Sequence, residues 1–98
     1  MNFKKFENKI EKKVTPYIDK LFYIGGVISP IIGLPQVYKI YSLQNAQGLS
    51  LLSWSMYLLG AVGLLIYGIL HKQKPIIFMH LTVIPVYLAI ILGILIYS

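Results

Sequence analysis

Two side chains in this sequence could do chemistry in surroundings that offer none of their own. They are Gln36, inside "GLPQVYKIY" (Gly33 to Tyr41), and His80, inside "KPIIFMHLTV" (Lys74 to Val83). A side-chain amide brings two donors and an acceptor. A neutral imidazole brings one of each and can also take a proton. Within long apolar runs such groups need partners inside the protein, and ionisable ones mark a solute pathway or a structural hydrogen bond. Prolines sit close by. Pro35 removes the hydrogen bond to the carbonyl of Ile31, Pro30 removes the one to Gly26, and Pro85 frees the carbonyl of Leu81. A stretch carrying Pro30 and Pro35 is expected to be kinked or interrupted about its middle, with Gln36 bonded to a freed carbonyl or to a neighbouring helix.

The elements that must hold these groups follow from composition. Of 98 residues, 57% are hydrophobic and only 12% are charged, and the mean hydropathy is +0.73. Six of the nine lysines and all three acids lie in the first 20 residues, and no acid occurs from Leu21 to Ser98. The basic charge therefore belongs to a tail and loops. It favours membrane lipids over nucleic acid, because no folded basic face exists to track phosphates. With no cysteine, disulfides and thiolate chemistry are excluded. Three apolar runs, at about residues 21–41, 51–70 and 76–97, each have about the 20 residues needed to span hydrocarbon as a helix. The expected fold is an all-α membrane protein, a three-transmembrane-helix bundle at 21–98 behind a basic amphipathic N-terminal segment at 1–20.

In that segment Phe3, Phe6, Ile10 and Val14 recur at helical spacing between lysines, as in a helix lying on a membrane. Thr15 followed by Pro16 reads as an N-cap and first helical residue, so a new helix is expected to start there. A cleaved signal peptide is the weaker reading, because the apolar run is long and the preceding region is acidic as well as basic. Trp54, Tyr57, Tyr67, Tyr38, Tyr41 and Tyr97 sit near helix ends, as in aromatic interface belts. Gly60, Ala61 and Gly63 are expected to serve close helix packing.

"LPQVYKIY", then a polar loop with "GLS", then "LLIYG", then "KPIIFMH" together resemble the bacterial SemiSWEETs, half-size relatives of the SWEET sugar transporters in the PQ-loop superfamily. The resemblance runs from about Gly25 to Ser98. It implies a single triple-helix unit that pairs in parallel with a second copy into a six-helix transporter. It implies a hinge at Pro35 and Gln36, and a sugar held between a tryptophan three residues before the YG tyrosine and an asparagine five residues after the loop proline. Here those places hold Leu64 and His80.

Counted from the loop between the second and third helices, both positions lie roughly 7 to 9 Å below one membrane face, so they can share one cavity. His80 is then a solute ligand or a structural histidine bonded to helix backbone, Thr82, Tyr67 or water. Leu64 is pocket wall or plain packing. Tyr67, one turn on, is a gate or an interface anchor, and Ser29 lines the cavity or bonds its own backbone. Lysine asymmetry puts the N-terminus in the cytoplasm, and the resemblance puts it outside.

Nothing in the sequence suggests an enzyme, a metal site or a cofactor. The expected function is a homodimeric facilitator of mono- or disaccharides, working by alternating access in the cell membrane. Its competitors are a carrier of another solute with proton coupling through His80, and a small membrane subunit that transports nothing.

Overall fold

The computed structural model describes residues 2–98 as three α-helices: α1 (Phe3–Leu43), α2 (Leu51–Leu70) and α3 (Lys74–Tyr97). No strand occurs among the described residues. Each helix contains a stretch long and apolar enough to cross a membrane, so the chain is an all-α membrane protein built as one triple-helix unit.

α1 is a single helix of 41 residues. Thr15 and Pro16 do not start a helix, contrary to expectation. The N-cap is Asn2, whose Oδ1 accepts from the Lys4 backbone N–H at 3.0 Å. Pro16 costs α1 one backbone bond, and the lysines, glutamates and aliphatic residues on either side are good enough helix formers to carry the helix across it. Pro30 and Pro35 do not interrupt α1 either. In hydrocarbon an unwound backbone has no water to bond, so the helix continues around each missing bond.

Short polar connections stop and restart the helices. Gln44 turns left-handed at φ 51° while its N–H bonds the Ile40 carbonyl. Asn45 Oδ1 accepts from the Gln47 N–H at 2.7 Å, and Gly48 supplies a φ of 88°. Ser50 Oγ then caps α2 by accepting from the Ser53 N–H at 3.2 Å. Ala46 of this loop is buried and closes the end of a core made with Ile40, Val86, Ile90 and Ile94.

α3 is the central helix. It packs on both α1 and α2, whose own backbones stay more than 8 Å apart. The α1–α3 seam is parallel and regular. Gly26 faces Phe78 and Met79, Gly33 faces Val86, and Ile40 faces Gly93, a step of seven residues along both helices. A Cβ at Gly26, Gly33 or Gly93 would lie 2.6 Å from the Phe78 ring, Val86 Cγ1 or Ile40 Cγ2 respectively, so the absence of side chains is what lets the helices approach. The small residues expected to pack closely were Gly60, Ala61 and Gly63. Ala61 is buried, but a Cβ at Gly60 or Gly63 would meet nothing within 4 Å, since both glycines are exposed.

Candidate functional site: a cleft between α2 and α3

The tight turn at residues 71–73 brings α3 back antiparallel to α2, with Gly68 against Ile76 and Ile77. His80, Val83 and Tyr87 share one face of α3, at spacings of three and four residues. Tyr57, Gly60 and Leu64 share one face of α2 in the same way. Together these two faces line an open cleft of about 280 Å³, with Met56 and Met79 at its edges. Leu64 and His80, far apart in sequence, therefore lie in one concavity.

His80 is 7% exposed, and its Nδ1 lies 2.8 Å from the carbonyl oxygen of Ile76. A carbonyl can only accept, so Nδ1 carries the hydrogen and Nε2 of the neutral ring is an acceptor. Among the described residues no fully buried side-chain nitrogen or oxygen lacks a partner, so Nε2 keeps some exposure, on a residue that lines the cleft. One nitrogen is thus structural and the other is left without a partner in the protein. Thr82 does not hold the ring, since its hydroxyl donates to the Met79 carbonyl at 2.8 Å. Leu64, 49% exposed, forms an aliphatic side of the cleft.

The other expected site residues lie elsewhere. Ser29 lines a neighbouring hollow of about 240 Å³ with Gly33, Trp54 and Val86. Val83 and Tyr87 belong to both hollows and stand between Ser29 and His80. Tyr67 lies outside the cleft lining, at the end of α2, with its ring stacked on the His71 imidazole at 4.1 Å and 25°. Gln36 lines a third hollow, of about 250 Å³, against Asn45, Gln47 and Leu49. It shares this hollow with the connecting loop. By the Gly33–Val86 register, Gln36 is level with Ala89, nine residues beyond His80 or roughly 13 Å along the helix. The Pro35–Gln36 pair is therefore displaced from the cleft. Larger hollows, of about 520 and 600 Å³, run along α1 between Asn2 and Asp19, but only α1 lines them and they have no facing wall.

The cleft lining includes Tyr57 and Tyr87, and Trp54 lines the neighbouring hollow. Trp54 and Tyr57, read as interface aromatics, form a cluster with Tyr87. The Trp54 ring is 5.3 Å from Tyr57 at 87° and 5.9 Å from Tyr87 at 62°, and Tyr57 and Tyr87 are 6.2 Å apart. The seven-residue step from His80 to Tyr87, two turns along one helix face, is the signal that would have found it.

Among the described residues no three His, Cys, Asp or Glu come together as metal ligands. The family model for the PQ loop repeat matches residues 17–77, which hold Pro35–Gln36, all of α2 and the turn into α3. A curated protein of Vibrio sp. (strain N418), the sugar transporter SemiSWEET, is 34% identical over 86 residues, covering 86% of this chain and 89% of the relative. No solved structure matches significantly. With the match extending over most of both chains, and with three helices in one unit around a cleft displaced from the PQ pair, the chain belongs to the PQ-loop family and is of the SemiSWEET type.

Proposed function

We propose that the chain is a facilitator of small sugars, mono- or disaccharides, acting as a parallel homodimer in the cell membrane by alternating access. The observation that carries this reading is the α2–α3 cleft, an open concavity with one buried imidazole offering an acceptor and otherwise apolar and aromatic walls. At about 280 Å³ it falls just below the roughly 300 to 1,000 Å³ of ligand pockets, and it is open on one side. A second copy facing it completes the enclosure and brings the volume into that range. Transporters built from repeated units place their site at such a junction.

In this reading His80 accepts a sugar hydroxyl through Nε2, Leu64 forms an apolar wall, and Ser29 offers a hydroxyl in the adjoining hollow. Pro35 and Gln36 are the hinge of α1, since a residue without its backbone bond bends at lower cost than its neighbours. Tyr67, stacked on His71 at the end of α2, gates the mouth. The resemblance to a named sugar transporter supports the choice of cargo.

The test is counterflow of labelled sugars and amino acids into liposomes holding only this protein, at two pH values. Sugar uptake indifferent to pH is expected. Uptake of another solute, with a pH dependence abolished by His80→Asn, would mean that the cargo is wrong and the proton-coupled reading right. Silence on the whole panel would leave a subunit that does not transport.

A further inference from the structure

Resting on the reading of the α2–α3 cleft as a sugar site, we infer that the surface on which the sugar ring stacks is the Tyr57–Tyr87 pair. A sugar presents hydroxyls at its rim and C–H groups on its faces, and the electron-rich face of an aromatic ring receives those C–H groups. Leu64 cannot supply such a face. Among the described residues, Tyr57 and Tyr87 carry the aromatic rings of the cleft lining besides the His80 imidazole.

Their placement suits the task. Tyr57 lies seven residues before Leu64 on one face of α2, and Tyr87 lies seven residues after His80 on one face of α3. Two turns of helix separate rings from imidazole by roughly 10 Å, room for a pyranose between a stacking surface at one end and an acceptor at the other. The floor between them is Gly60, where an added Cβ would meet nothing within 4 Å.

Tyr57 is 55% exposed, which leaves its side chain accessible. Trp54 braces both tyrosines, with contacts near edge-on to Tyr57 and at 62° to Tyr87. Rings held this way lose little further freedom when a solute arrives. An aromatic supplied at Tyr57 and Tyr87 leaves position 64 free to be aliphatic.

The experiment measures the apparent KM for a transported sugar in liposome counterflow, with thermal melting of each variant as the fold control. Tyr57→Leu and Tyr87→Leu are expected to raise KM by roughly three- to tenfold each. Tyr87→Phe, which keeps the ring, is expected to stay near wild type. Adding Leu64→Trp to Tyr87→Leu restores a stacking face and recovers most of the lost affinity. The chain has a single tryptophan, so sugar added to the wild type also shifts the emission of Trp54, which touches both rings.

Wild-type sugar transport with unchanged KM in both leucine variants would overturn the inference and leave the sugar reading intact. So would a Tyr87→Phe variant as impaired as Tyr87→Leu, because the hydroxyl and not the ring would then be at work. If the wild type moves no sugar, the underlying reading fails, and the stacking assignment falls with it.

Discussion

The phenol of Tyr41 donates a hydrogen bond of 2.7 Å to the backbone carbonyl of Ala89, tying the end of α1 to the middle of α3. Tyr97 meets the same ring edge-on at 5.7 Å. The part of α1 beyond Pro35 is thereby fastened to the central helix, in addition to the glycine seam before the proline. Tyr41→Phe keeps the ring packing and deletes the bond. It is expected to cost about 1 kcal/mol of stability, read as a lower melting temperature in detergent. An unchanged melt would mean that the bond does not hold in the membrane protein.

Gly33 and Val86 meet where a Cβ would overlap a methyl group. Gly33→Ala is expected to destabilise by about 1 to 3 kcal/mol through overpacking, and Val86→Ala in the same chain to recover part of the loss. Gly63→Ala has free space around the new methyl and gains helix propensity, so its melt stays level or rises. Equal effects of the two alanines would contradict the α1–α3 seam.

Gly60 opens the cleft floor without touching anything, so Gly60→Leu fills the concavity with little strain. Sugar counterflow is expected to fall to background while the melting temperature is kept. Transport surviving that leucine would place the solute path elsewhere.

Removing the imidazole separates its two nitrogens. His80→Leu deletes both the Ile76 bond and the cleft acceptor, and is expected to lower sugar uptake at least tenfold, the scale of one lost hydrogen bond to a buried polar group. His80→Asn restores an acceptor and retains uptake. Equal activity of the two variants argues that no solute atom meets His80.

Pro35→Ala returns the missing backbone donor to α1 and stiffens the hinge. Uptake per protein is expected to slow while the apparent sugar affinity, set in the α2–α3 cleft, stays the same. A fully active alanine variant would remove the hinge role.

Much of this was legible from the sequence. Hydropathy alone marks three spans, and α2 falls on the expected residues because its polar boundaries, Ser50 and His71, are abrupt. The meeting of Leu64 with His80 follows from counting equal helix rise on either side of a short turn. Other features depend on the angle at which helices face one another, which a linear count does not contain. Gly60 and Gly63 look like packing glycines until α3 is seen to face α1 through Gly26 and Gly33. Tyr87 is one tyrosine among eight until its step from His80 is read against Tyr57 and Trp54. Thr15–Pro16 carries a sound local start signal that the helix formers on both sides override.

The continuity of α1 makes its tail a lever arm. From Pro35 to Phe3 the helix runs about 48 Å, and most of that length projects beyond the packed bundle. If the helix stays stiff, a 10° bend at the proline, about the scale of a domain rotation, carries the tip through about 8 Å. In the proposed alternating-access cycle, a small displacement at the cleft would become a large excursion at Phe3 and carry the lysine-rich end across the headgroups. A spin or fluorescent label on that end would thus report the proposed hinge motion from outside the cleft.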